Sequence, residues 1–390
     1  MINRKHPGRC SMNKIILVPD SFKGTMSSSE ICRIMEESIR KIYPASQVIS
    51  IPVADGGEGS VDAFLTAVGG IKQSVIVKGP FFTDIESYYG IIDNGKTAVI
   101  EMAACAGLPL VGDNRDVRNT TTYGVGQLIA AALENGCQKI IMGLGGSATN
   151  DAGAGAAAAL GVRFTNEKGG EFIPVGGTLS DICHIDMSAV HPGLKTVEFI
   201  TMCDIDNPLY GPTGAAHVFG PQKGATPEIV TELDNGLRNI AEVIKTDLHK
   251  DVSGLKGAGA AGGMGGGMAA FCNSKLQMGI ETVLDAVDFD TIIRGADLVL
   301  SGEGKIDAQS LCGKVVIGAA RRAKKANVPL VAIVGDIGED IQGAYEEGVR
   351  AIFSINQVAV SYTEAQSRAK DDLARTMDNL MRFIYMLENK

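Results

Sequence analysis

The chain has 390 residues, 45% hydrophobic and 21% charged, with a formal net charge of −9. That suffices for two or three domains with their own cores, and it excludes fibrous, disordered and disulfide-scaffold classes. The acidic balance and the lack of any Lys/Arg run exclude a nucleic-acid binder, which must neutralise phosphates.

Residues 1–11 (MINRKHPGRCS) are basic without an apolar stretch, so they read as an N-terminal tail and not a signal peptide. Lys14–Pro19 is a β-branched run that reads as a strand. Ser27 to Glu30 forms a capping box, and Ile31, Ile34, Met35, Ile39 and Ile42 follow at helical spacing. A second strand is expected over 48–53 and a helix from Val61 to Val68. This β–α–β–α order predicts a parallel sheet. After Gly69 and Gly70 the rhythm changes: 74–78, 85–92 and 97–102 read as strands without helices between them, which predicts a domain boundary near 75.

Further along, a helix is expected around 125–133, a strand at Lys139–Gly143, a small-residue helix at 152–160 and a strand at 197–203. A long amphipathic helix covers Pro227–Leu248, and the Gly/Ala-rich 257–271 segment does not choose between helix and loop. That uncharged stretch carries no Leu, Ile or Val, so no membrane partner is expected. From about 285 the β/α rhythm returns, with strands at 297–300, 329–335 and 351–355 and helices at 313–326, 341–347 and 365–387. The expected architecture is a discontinuous doubly wound parallel-sheet domain, Rossmann- or flavodoxin-like, from 12–75 and 285–390. A mixed-sheet α/β domain, 76–284, is inserted into it. Eight scattered cysteines, none in CxxC or zinc-ligand spacing, fit a reducing, cytoplasmic setting.

Glycine is over-represented: 49 residues, about one in eight against a usual ~7%. The glycines bunch at 55–59, 143–155, 254–267 and 302–313. Ligands of open parallel sheets bind beyond the carboxyl ends of the strands. There the sequence places Asp20-Ser21-Phe22-Lys23-Gly24, Asp55-Gly56-Gly57-Glu58-Gly59, and Ser301-Gly302-Glu303-Gly304-Lys305-Ile306-Asp307, with Asp336 after the next strand. Glycines expose N–H groups to phosphate oxygens, clustered carboxylates hold a hard cation such as Mg²⁺, and lysine follows a transferring phosphoryl group. Any one of these loops could be an ordinary turn or cap. Three of them at one sheet edge point to phosphoryl transfer.

In the inserted part, Gly143-Leu144-Gly145-Gly146-Ser147-Ala148-Thr149-Asn150-Asp151 lies between a strand and a helix and predicts an anion cradle at the helix N-terminus. Gly143 to Ala148 also meets the loose dinucleotide fingerprint, which leaves a dinucleotide-dependent oxidoreductase as the alternative enzyme. Glu167 is a poor ribose-binding acid for it. A non-catalytic small-acid binding protein is the other alternative. Gly90 to Thr97 matches the P-loop expression, but Asp93-Asn94-Gly95 is a turn and a strand follows it, so that reading is rejected. Cys203-Asp204-Ile205-Asp206-Asn207-Pro208 puts two acids beyond another strand, either as a turn or as a metal ligand or base.

At these residues the chain resembles the bacterial glycerate kinase family, type I. The similar segments are Pro19 to Gly24, Pro52 to Gly59, Gly145 to Asp151, Cys203-Asp204 with Asn207-Pro208-Leu209, and Gly302-Glu303-Gly304 with Asp307 and Gln309. The family usually carries Gly-Gly after the residue matching Asp151, where this chain has Ala152-Gly153. The resemblance implies ATP-dependent phosphorylation of D-glycerate, usually at the 2-hydroxyl, with Mg²⁺. On this reading Lys23 and backbone N–H groups hold the glycerate carboxylate. Asp20, Ser21, Asp55, Gly56, Gly57 and Glu58 line the substrate. Gly145, Gly146, Ser147, Thr149, Asn150, Asp151, Gly302 and Gly304 contact phosphate or nucleotide. Glu303 and Asp307 lie near the metal. Either Asp307 or Asp204 accepts the hydroxyl proton. Oligomeric state stays open, with a homo-oligomer as one expectation.

Overall fold

The computed structural model describes residues 12–53, 56–307 and 310–389. The tail 1–11, Asp55 and Gln309 lie outside the described residues. The chain forms two compact units, 1–53 with 283–390, and 54–282.

In the first unit five parallel strands stand in the order Val349–Ser354, Leu330–Ile337, Leu298–Ile306, Lys14–Pro19, Gln47–Ser50. Ile15 to Val18 are wholly buried, as expected of a parallel strand covered on both faces. The Ser28–Ile42 helix starts where the Ser27 side chain accepts the Glu30 N–H at 3.2 Å. Its Ile31, Met35 and Ile39 pack with Leu373, Met377 and Met381 of the Tyr362–Glu388 helix over Leu17 and Leu300. The Val315–Lys325 helix packs on Leu298–Ile306 and Lys14–Pro19.

One strand runs further than the sequence suggests. Glycines and charges after Leu300 read as a loop, yet Leu298–Ile306 continues through them, pairing Glu303 with Val334 and Lys305 with Asp336. Backbone pairing with a long neighbour overrides the weak β-propensity of Gly and Glu.

The second unit holds a six-stranded sheet in the order Lys275–Gln277, Glu198–Met202, Lys139–Gly143, Thr97–Glu101, Asp84–Ile92, Ile71–Lys78. The first four strands are parallel and the last two are added antiparallel. A small antiparallel sheet of Arg163–Thr165, Glu171–Phe172 and His184–Asp186 stands apart from it. Asp93–Gly95 is a tight turn with Asn94 at φ 52° between antiparallel strands, so no P-loop exists there. The Ala260–Phe271 segment is helical after left-handed residues at Ala261, Gly262 and Gly263.

The boundary lies at 53/54, not near 75. The Ser60–Val68 helix packs on Asp84–Ile92 and Thr97–Glu101, and Ile71–Lys78 pairs along the whole of Asp84–Ile92. The rhythm change at Gly69-Gly70 marks a turn inside the second unit. The return to the first unit comes at 282/283.

Candidate active site

At the carboxyl edge of the first unit's sheet, Pro19 stands opposite Gly302, and the Asp20 N–H donates to the Gly302 carbonyl at 2.8 Å. The next positions therefore bring Asp20 and Glu303 into one neighbourhood. Asp20 turns the chain by accepting the Ser21 N–H at 2.7 Å. The Phe22–Lys23 backbone passes close to Gly304, and Lys23 itself is exposed. Beyond Ile306 a turn closes as the Ser310 N–H donates to the Asp307 carbonyl at 2.9 Å and the Asp307 N–H donates to the Ser310 hydroxyl at 3.2 Å.

Glu303 is the informative member. It is 4% exposed, and its Oε1 has no hydrogen-bond partner among the described residues. Burial pushes its carboxyl up to about 7, and nearby Asp20 and Asp307 add to the rise. The Ser310 hydroxyl and Lys314 oppose it. A buried carboxylate oxygen left unpaired costs free energy unless something outside the chain satisfies it. Among the described residues no group of three or more His, Cys, Asp or Glu side chains is placed to hold a metal ion. Mg²⁺ commonly takes only one or two carboxylates plus phosphate oxygens, and the unpaired Glu303 oxygen suits such a hard cation.

In the second unit, the 56–58 and 143–151 segments pack backbone to backbone. A Cβ at Gly143 would meet the Gly56 carbonyl at 2.3 Å, and one at Gly145 would meet the Gly57 Cα at 2.5 Å. The Gly145 N–H donates to the Gly56 carbonyl at 2.8 Å, so this glycine serves close approach between loops and not a phosphate. The contact brings Glu58 beside Gly146. Glu101, unnoticed in the sequence, is buried and accepts the Tyr88 hydroxyl and the Val61 N–H, tying the Ser60–Val68 helix to the sheet.

The anion cradle expected after Asn150 is filled from within. The Asp151 carboxylate, 0% exposed, accepts N–H groups from Thr122, Gly153 and Gly155 and the Thr122 hydroxyl, at 2.8–3.3 Å. The Thr122 hydroxyl oxygen in turn accepts the Ala156 N–H at 2.9 Å. These bonds take the first-turn donors of the short Ala154–Ala159 helix, so Asp151 holds this chain's own backbone and not a phosphate. Burial pushes its carboxyl up, and the hydrogen bonds from Thr122, Gly153 and Gly155 oppose that rise. Ala152 adopts φ 52°, the left-handed region that favours glycine.

Beside this lies a residue that no motif signalled. Lys223, at the end of the Pro221–Lys223 turn, is 2% exposed and donates from Nζ to the Ser147 hydroxyl at 2.8 Å and the Thr149 carbonyl at 2.6 Å. Desolvation lowers its ammonium to about 7, with Asp151 pulling the other way. Thr149 Oγ1 and both amide atoms of Asn150 are buried without a partner among the described residues. Elsewhere in this unit, Asp204 accepts the Gly279 N–H at 2.7 Å at the start of the Gly279–Ala286 helix.

A doubly wound sheet with acids at its carboxyl edge, interrupted by a mixed-sheet unit, defines an α/β protein with a ligand site beyond the ends of its parallel strands. A family model for the glycerate kinase family matches residues 15–385, and the chain belongs to that family. It is 44% identical over 368 residues to an Escherichia coli glycerate 2-kinase, covering 94% of this chain and 97% of the relative. A Bacillus subtilis glycerate kinase is 43% identical over 364 residues, covering 93% and 95%. A crystal structure of a candidate glycerate kinase 2 from Salmonella typhimurium LT2 superposes with a TM-score of 0.86 at 40% identity, covering 97% of this chain and all of that one. Membership of a kinase family makes ATP the phosphate donor and a small molecule the acceptor, and the dinucleotide-dependent alternative is not favoured. No helix among the described residues is long and apolar enough to cross a membrane.

Proposed function

We propose that this chain transfers the γ-phosphoryl group of ATP to the 2-hydroxyl of D-glycerate, in the cytoplasm. The observation that carries the reading is Glu303: a buried carboxylate oxygen without a partner among the described residues, near Asp20 and Asp307 at the carboxyl edge of a parallel sheet. The 2-hydroxyl assignment draws on the name of the Escherichia coli relative.

Lys23, exposed in the loop after Lys14–Pro19, attracts the anionic groups of the reactants, with Asp20 and Ser21 beside it in sequence to orient hydroxyls. In the second unit, Asp55, Gly56, Gly57 and Glu58 are the proposed substrate-binding residues. Glu303 and Asp307 would hold Mg²⁺, which neutralises phosphate charge when bound. Gly302 and Gly304 keep the backbone near them slim, and Ser147, Thr149 and Asn150 contribute polar contacts to phosphate or nucleotide. Asp307, rather than the helix-starting Asp204, accepts the proton of the reacting hydroxyl. Most of the rate then comes from positioning and charge. Phosphorus NMR of the mixture formed from D-glycerate and ATP should show the 2-phospho ester. The 3-phospho ester would overturn the regiochemistry, and no ester would overturn the function. Lys23→Ala should lower kcat/KM by roughly two orders of magnitude with the fold intact, judged by kinetics and thermal unfolding.

A further inference from the structure

Lys223 stands in a short turn, yet it is as buried as the core. The backbone on either side of it is held: the Arg115 guanidinium donates to the Gln222 carbonyl at 3.0 Å, and a Cβ at Gly224 would meet the Arg115 carbonyl at 2.2 Å. Its Nζ holds the 145–151 segment at two points, a side chain (Ser147) and a main-chain carbonyl (Thr149). Desolvating an ammonium costs several kcal/mol, and stability alone is usually served as well by an apolar residue of the same shape. The two groups flanking the held carbonyl, Thr149 Oγ1 and the Asn150 carboxamide, remain buried and unpaired. A segment clamped at two points, with adjacent buried donors and acceptors unpaired among the described residues, is a pre-organised polar cluster that calls for a polar partner.

We infer that Lys223 is a positioning residue, which clamps Ser147 and the Thr149 carbonyl so that Thr149 Oγ1 and the Asn150 carboxamide meet the polar oxygens of a reactant. This rests on the reading that the 145–151 segment contacts phosphate or nucleotide, and it adds a lysine that acts through that segment.

The test is a kinetic double-mutant cycle on the full chain with Lys223→Met, Ser147→Ala and the pair, varying ATP and D-glycerate in turn. Lys223→Met should cost about 30-fold in kcat/KM and Ser147→Ala about fivefold, and the pair should cost little more than Lys223→Met alone, because both act through one contact. The loss should appear as a raised KM for one reactant, with the other KM within about twofold. A fall in kcat with both KM values unchanged, the pattern of partly inactive protein, overturns the inference, as does strict additivity. If Lys223→Met does not fold, Ser147→Ala alone decides: wild-type KM values overturn it. Thr149→Val and Asn150→Ala separate the two readings. If these retain wild-type kinetics the segment binds no reactant, whereas if they are impaired and Lys223→Met is not, the lysine inference alone fails.

Discussion

Two regions of this molecule are written in the same letters and used in opposite ways. Both the Ser301–Asp307 stretch and the 143–151 segment combine glycines with acids after a buried strand. In the first, Glu303 is buried with an oxygen unpaired and its carboxyl pushed up to about 7. In the second, Asp151 is more deeply buried but accepts four hydrogen bonds from its own chain. An acid whose oxygens are filled by its own chain's N–H and hydroxyl groups serves as scaffold, and one with an oxygen unpaired among the described residues is the candidate for chemistry. Hydrogen-bond accounting, not the acid-and-glycine pattern, separates the two.

The largest effect that could break this contrast is on stability. Asp151→Ala strands four buried donors and leaves Lys223 without its counter-charge, so it should destabilise the protein by about 3–5 kcal/mol in denaturant unfolding. A loss under about 1 kcal/mol would mean that Asp151 is not scaffold. Glu303→Gln should do the reverse: kcat/KM falls about 100-fold while the melting temperature holds or rises, since a desolvated carboxylate is replaced. The two buried ionisable groups should also show opposite pH slopes. Glu303 rises from 4.5 to about 7 on folding, so between those pH values the native state holds the extra proton. Wild-type stability relative to Glu303→Gln should therefore fall as pH climbs through that window and level off above it. Lys223 drops from 10.5 to about 7, so there the unfolded state holds the extra proton. Stability relative to Lys223→Met should rise from about pH 7 towards 10.5, read by unfolding at matched pH values. The smallest effect belongs to Ala152→Gly, where relief of a left-handed alanine is offset by chain entropy and a lost methyl. Its unfolding free energy should move by less than about 1 kcal/mol.

Much of the fold was legible because local signals agreed with the tertiary outcome. The amphipathic helix expected over roughly Pro227–Leu248 forms there, its start fixed by the Thr226 cap, and its Leu233, Leu237, Ile240 and Ile244 stripe lies in the core. Three features were not legible, each for a physical reason. The Leu298–Ile306 strand crosses residues of low β-propensity because its neighbour extends to Ile337. The small sheet around Phe164 uses strands of two and three residues, too short to show alternation. The domain boundary was misplaced because a change from helix to antiparallel strand looks alike within a unit and between units. At the sheet's carboxyl edge, residue type and position single out Asp20, Glu303 and Asp307, and the fold brings these three acids near one another. Lys223 was missed because a lysine between Gln and Gly in a turn looks solvated, and only the folding of distant segments over it makes it a buried cation.

The strand Lys14–Pro19 is made well before one of its two neighbours, Leu298–Ile306, which lies some 280 residues later. At roughly 5–20 residues per second, a ribosome takes on the order of 15–60 s to deliver it. Throughout that interval an aliphatic strand has a bare flank and only a partial mate. The intervening segment, a compact unit of its own, can meanwhile condense. Biogenesis is thus where this architecture is most exposed: the Lys14–Pro19 strand keeps an aggregation-prone flank until Leu298–Ile306 emerges and pairs with it.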